Sequence, residues 1–166
     1  MTYTIDPKHS SASFKIRHMM IANVRGEFNS VNGTVTIDGD NVAGASVDAT
    51  IDVNSLHTGD AARDGHLKAG DFFDAENHPT ITFKSNGTGG AGTLTLRGVS
   101  KPVTLTIESV SGEITDPWSL SRRGATASVK INRADFGMGW NAPIGGGVML
   151  SEEVEIALDI EMTRTA

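Results

Sequence analysis

The chain has 166 residues, 38% of them hydrophobic, enough for one continuous core within the usual size of a single domain. It holds no cysteine, which excludes disulfides, thiolate metal sites and cysteine nucleophiles but leaves the compartment open. A formal charge of −6 with no basic cluster opposes binding to phosphate backbones or anionic membranes, so no nucleic-acid partner is expected. No stretch approaches the ~18 apolar residues of a membrane span, and residues Met1 to Pro7 have neither the basic start nor the apolar run of a signal peptide. The expectation is a cytoplasmic chain that is not embedded in a membrane.

In chain order, Ala12, Phe14, Ile16 and His18 share one face while Ser13, Lys15 and Arg17 share the other, the pattern of a strand with one solvated side. Val24, Gly26 and Phe28 continue on even numbers, but Val31, Gly33, Val35 and Ile37 fall on odd ones, which predicts a bulge near Asn29-Ser30. After a turn at Asp38 to Asn41, Val47, Ala49, Ile51 and Val53 alternate again.

Alternation stops between Asn54 and Pro79. Asp60 is placed to cap a helix over residues 60–69, and Gly70 to close it in the left-handed conformation. Phe72 and Phe73 then set two large apolar side chains in an acidic segment, where at least one is expected to anchor it, and His78 before Pro79 is held extended.

Beyond this insertion, Ile81 and Phe83, then Leu94 and Leu96, then Val103, Leu105 and Ile107 form inward rows. Ala127, Val129 and Ile131 follow the Asp116-Pro117 turn, and Val154 to Met162 closes the series. The result is about eight strands joined mostly by short turns, hence an all-β, antiparallel barrel or two-sheet sandwich. The glycine-rich segment from Gly137 to Gly147, with Trp140, reads as a loop at a barrel mouth.

Several segments together resemble the YceI-like family. They are Ser10 to Met19, Val24 to Phe28, Ser55 to Gly59, Arg63 to Leu67, Asp71 to Asp74, Leu96 to Val103, Arg133 to Gly137 and Glu153 to Ile156. The resemblance implies a closed, lipocalin-like β-barrel whose apolar interior binds a polyisoprenoid or similar long-chain amphiphile, with the helix near one end. It also implies a non-catalytic binding or transport role for an isoprenoid quinone or polyprenyl lipid, with no cofactor beyond that ligand and homodimer formation left open. On that reading the lipid meets the inward rows at Phe14, Ile16, His18, Phe28, Ala49, Ile51, Phe72, Ile81 and Phe83. It also meets Leu94, Leu96, Leu105, Ile107, Ala127, Val129, Phe136, Trp140 and Ile156.

Small inward residues (Gly26, Gly33, Ala49, Ala127) and only nine aromatics argue that side chains do not fill such a barrel. The competing readings are an enzyme using Arg63, Asp64 and His66 with His57 and His18, and a stress-related interaction protein with an incidental lumen. Against catalysis, Asp64 is spaced to pair with Lys68, and Arg63 to reach Asp60. His18 is expected to be a hydrogen-bonded core histidine. The histidines lack metal-site spacing, so no metal is expected. Asn32-Gly33 and Asn86-Gly87 read as turns rather than glycosylation sites.

Overall fold

Period-two alternation lets each strand bury one face, and the chain uses it almost throughout. The computed structural model describes every residue except 20, 40, 88, 140, 142, 145, 146, 149 and 166, with side chains left aside at 42, 143, 144, 147 and 148. Its strands are β1 (Thr2–Ile5), β2 (Ser11–His18), β3 (Ala22–Phe28), β4 (Val31–Asp38), β5 (Asn41–Asp52), β6 (Leu56–His57), β7 (Thr80–Ser85) and β8 (Ala91–Leu96). They continue with β9 (Val99–Thr104), β10 (Thr106–Val110), β11 (Ile114–Thr115), β12 (Ser121–Asn132), β13 (Pro143–Ile144), β14 (Gly147–Val148) and β15 (Leu150–Arg164). Among the described residues one α-helix, α1 (Ala61–Lys68), interrupts the series.

β15 is the spine. One of its edges pairs with β12 from Arg122↔Thr163 to Asn132↔Glu153. The other is shared by β1, opposite residues 162–164, and β2, which runs from Asp159↔Ser11 to Leu150↔His18. From β1 the sheet continues through β4, β5, β7 and β8 to β9, and from β2 through β3 to β6.

The all-β class with one short helix is as expected, but the closed barrel of about eight strands is corrected. Among the described residues the sheet has 13 strands, because the short strands β1, β6 and β11 join it and the row Val103, Leu105 and Ile107 is split at Leu105 into β9 and β10. Hydrogen bonds do not close it. β9 pairs with β8 and β10 with β12, and no hydrogen-bonded ladder joins β9 to β10 or β12 among the described residues; the chain passes from one to the other at Leu105, whose N–H donates to the Gly90 carbonyl at 2.9 Å. Pro102 gives a physical reason, since a residue without an N–H belongs on an edge strand.

The expected bulge at Asn29-Ser30 is likewise a break between two strands. The Ser30 N–H donates to Ser55 Oγ at 3.2 Å, and its carbonyl accepts from the Asp52 N–H at 3.0 Å. Asn32-Gly33 is no turn either but lies within β4, where Gly33 faces Ala49 with φ +145°, and a Cβ there would stand 2.1 Å from the Asp48 carbonyl oxygen.

The interior has two zones. Near the C-terminal end of β15, Tyr3, Ile5, Ile37 and Met162 are almost fully buried, with the Arg123 guanidinium 5.7 Å from the centre of the Tyr3 ring. Further up the inner face of β15, Ile160 is still only 8% exposed, whereas Val154, Ile156 and Leu158 remain partly accessible. Inward side chains that solvent can still reach line a hollow. The barrel is therefore plugged at the Tyr3–Met162 end and hollow toward His18 and Leu150.

Candidate functional site

The hollow is a cavity of about 270 Å³. β2 contributes Phe14, Ile16 and His18, β3 contributes Phe28, and β5 contributes Ala49 and Ile51. Ile81 and Phe83 of β7, Leu94 and Leu96 of β8, and Leu105 line the opposite wall, joined by Val129 of β12 and Ile156 of β15. Phe72, from the segment after α1, completes the predicted residues on its surface.

Three predicted residues are placed elsewhere, and one is outside the described residues. Ile107 and Ala127 oppose each other across β10 and β12 but do not reach the cavity. Leu105 and Val129 line it instead, and the ladder shifts register immediately after Ile107. Phe136 ends a 3-10 turn, Arg133–Phe136, which carries it past the end of β12 into an outer groove with Pro102 and Thr104. Trp140 lies outside the described residues.

Of the four small inward residues thought to leave room, Ala49 alone faces the cavity. The space beside Gly26 is filled by Phe14, whose ring would lie 2.3 Å from an added Cβ, and that at Gly33 by the β5 backbone.

The roof is α1 with the residues after it. Asp60 caps the helix as expected, its Oδ1 accepting from the N–H groups of Ala62 and Arg63 at 2.9 and 3.1 Å. The C-terminus departs from expectation: Gly70 is not left-handed, because the following chain folds back under the helix and takes its last carbonyls. The Phe73 N–H donates to the Leu67 carbonyl at 2.9 Å and that of Ala75 to the Lys68 carbonyl at 2.8 Å. This return buries Phe72 and sets Phe73 against Phe14 and Phe28, with ring centroids 6.0 and 5.3 Å away.

The polar candidates are used locally, though not by the expected partners. Thr58 is the hub: its N–H and hydroxyl donate to Asp64 Oδ1 at 2.8 and 2.6 Å. Its hydroxyl and carbonyl accept from Arg63 Nε and Nη2, both at 2.8 Å. Asp64 thus turns to Thr58 rather than Lys68, and Asp60 is spent on the cap rather than on Arg63's guanidinium. Arg63, His66 and His18 border the cavity, but Asp64 and His57 do not, and His57 lies in the open 4.0 Å from Glu27. His66 meets Phe72 edge-on at 5.0 Å and stands 3.5 Å from Asp71 Oδ2.

Arg133 is buried beside the cavity, donating to the Ser151 and Met138 carbonyls at 2.8 and 2.6 Å; burial lowers its pKa, opposed by Glu152. The arginines' charged ends are turned to backbone or Thr58, and their stems face the hollow. What remains is an almost wholly apolar chamber, built to take up hydrocarbon.

A model of the YceI-like domain matches residues 3–162. The chain belongs to the YceI-like family. It is 37% identical to a UPF0312 protein of Vibrio parahaemolyticus, over 96% of this chain and 85% of that protein. A UPF0312 protein of Pseudomonas aeruginosa is also 37% identical, over 98% and 86%. Among solved structures, BcnA of Burkholderia cenocepacia matches with a TM-score of 0.78 at 25% identity, covering 95% of this chain and 98% of that one. The YceI protein of Campylobacter jejuni matches at 0.67 and 28% identity, covering 90% of each. A polyisoprenoid binding domain from Saccharophagus degradans matches at 0.68, covering 98% of each, at 16% identity, which speaks to the fold alone.

Sequence reasoning missed part of this YceI-like lumen. Val154 and Leu158 belong to the same alternating row as Ile156, so the signal was present, and Phe73 sits beside Phe72. Met138, buried in the cavity wall after the 3-10 turn, carries no periodic signal.

Proposed function

We propose that this chain binds one long-chain isoprenoid-type lipid, an isoprenoid quinone or a polyprenyl amphiphile, in its lumen and sequesters or carries it without covalent chemistry. The observation that carries this reading is the contrast along β15: the same inward row is tightly buried at Ile160 and Met162 yet accessible at Val154, Ile156 and Leu158, around a cavity of about 270 Å³ with an apolar wall. Each buried isoprene unit adds up to ~4 kcal/mol at ~0.8 kcal/mol per carbon before ordering costs, so two or three units give useful affinity. Membership of the YceI-like family and the fold shared with the Saccharophagus degradans polyisoprenoid binding domain support the same reading. His18 and His66 at the cavity's edge supply hydrogen bonds for a neutral head group. The catalytic alternative fares worse, since Arg63 and Asp64 are committed to Thr58 and Asp64 does not face the cavity.

The test is mass spectrometry of an organic extract of protein purified without detergent, beside a titration with an isoprenoid quinone. The expected result is a co-purified long-chain lipid and saturable uptake at one site. Recovery of no lipid together with no uptake of the quinone removes the carrier reading.

A further inference from the structure

The β2–β3 hairpin reverses direction between His18 and Ala22, a stretch whose sequence is Met19-Met20-Ile21. Other reversals in this chain use residues suited to turns: Asp38-Gly39, Asn86-Gly87, Arg97-Gly98 and Asp116-Pro117. Here a turn built from large apolar residues leaves Ile21 77% exposed and Met19 40% exposed. Met19 has φ +51°, a left-handed conformation that L-residues other than Asn, Asp and Gly seldom hold. His18↔Ala22 nevertheless closes the ladder, and the Ile21 N–H donates to the His18 carbonyl at 3.2 Å.

His18 is also a cavity residue and pairs with Leu150 at the hollow end of β15. The apolar tip thus begins one residue beyond the lumen wall. We propose that this tip is a membrane-contact point that dips into the head-group boundary of a zwitterionic bilayer and holds the hollow end of the barrel at the surface where its ligand resides. The inference rests on the lipid-carrier reading of the lumen.

A bilayer fits better than a protein partner. Two side chains on a narrow hairpin fall far short of the ~1,000 Å² that a stable protein interface buries, yet shallow insertion needs only a few apolar groups. A net charge of −6 sets the preference for zwitterionic over anionic lipid. The molecule also carries its own control. Ile114, Trp118 and Leu120 form a second exposed apolar patch at the plugged end, Trp118 being 76% exposed. That end is separated from Leu150 by the length of β15, roughly 40 Å at ~3.3 Å per residue.

The experiment is flotation of the full chain with phosphatidylcholine vesicles. Alongside it, transfer of dansyl-labelled geranylgeranyl amine to the protein is timed, once from those vesicles and once from cyclodextrin. The Met19→Ser/Ile21→Ser variant is expected to lose about fivefold or more in bound fraction and in transfer rate from vesicles, while uptake from cyclodextrin and the melting temperature stay as in the unsubstituted chain. Trp118→Ser/Leu120→Ser should leave all of these unchanged. In Ile21→Trp, brominated phosphatidylcholine should quench the added emission.

Failure of the unsubstituted chain to float, equal loss in the two variant pairs, no quenching in Ile21→Trp, or loss of self-association rather than vesicle binding would overturn the proposal. If the probe is taken up from neither donor, the lumen reading fails instead, and flotation still decides the role of the tip.

Discussion

At the residue scale, Thr58 shows how the helical insertion uses side chains that resemble catalytic machinery. Its hydroxyl donates to Asp64 and accepts from Arg63, while its backbone N–H and carbonyl bind the same two side chains. One residue preceding α1 thereby fastens both ends of an Arg-Asp pair, and a charge-assisted hydrogen bond of this type is worth ~1.5–3 kcal/mol. Asp64→Ala removes the acceptor that the Thr58 N–H and hydroxyl share and is expected to cost about 1–3 kcal/mol by thermal melting. Asp64→Asn keeps an amide oxygen at the same place and should cost less than half as much. Lipid uptake should survive in the folded fraction of both variants, because Asp64 does not face the lumen. A variant that keeps its melting temperature yet abolishes a measurable turnover would instead revive the enzyme reading.

At the element scale, the helix start was legible in the sequence and its end was not. An Asp at the N-cap acts on amides two and three residues away, a local rule that spacing reveals. The end of α1 is set by Phe73 and Ala75 returning their N–H groups to Leu67 and Lys68, and that return is held by rings from β2 and β3 that no local pattern brings together. Phe73→Ala should therefore loosen the whole segment, costing about 2–4 kcal/mol and raising amide exchange in residues 61–75 ahead of the sheet. The break at Leu105 was hidden for a similar reason: Val103, Leu105 and Ile107 alternate without interruption, and only Pro102 hinted that this edge lacks a ladder.

Charge also works at this scale, in the link between β1 and β2. Arg122 on β12 donates to Asp116 at 2.6 Å and to Asp6 and Glu161 at 3.0 Å each. Asp6 is held at about 2 against an ordinary 3.8, first by its hydrogen bond with His9 and further by Arg122. Asp116 is lowered chiefly by Arg122. Because the folded state favours the ionised carboxylates, this stability is present above their ordinary value and is lost as pH falls through the depressed one. The melting temperature should fall as pH drops from about 4 to about 2, and Arg122→Gln should flatten that fall.

At the scale of the whole molecule, the issue is how one alternating pattern builds both a plug and a chamber. Inward residues at the Tyr3–Met162 end come close from every side, whereas around Ile156 the facing walls leave about 270 Å³ unfilled. Small inward residues do not explain the difference by themselves, because Phe14 fills the space beside Gly26, backbone fills that at Gly33, and Ala127 lies off the chamber. Ala49, on β5 opposite Phe83 and on the chamber wall, is the residue through which the two zones can be told apart by mutation. In Ala49→Trp the indole enters space that a lipid chain would occupy and gains buried apolar area, so stability should stay within about 1 kcal/mol while uptake of an isoprenoid quinone is blocked. Ala127 is off the chamber wall, partly buried against the core in register with Ile107 and Leu158, so Ala127→Trp adds volume where no chamber receives it, at ~1–3 kcal/mol, and should melt early while its folded fraction binds quinone normally. The two variants add the same side chain to inner-face alanines on different strands, so a melting curve and a quinone titration on each locate the chamber. Early melting with normal uptake in Ala49→Trp would mean that the hollow along β15 is not where the lipid goes.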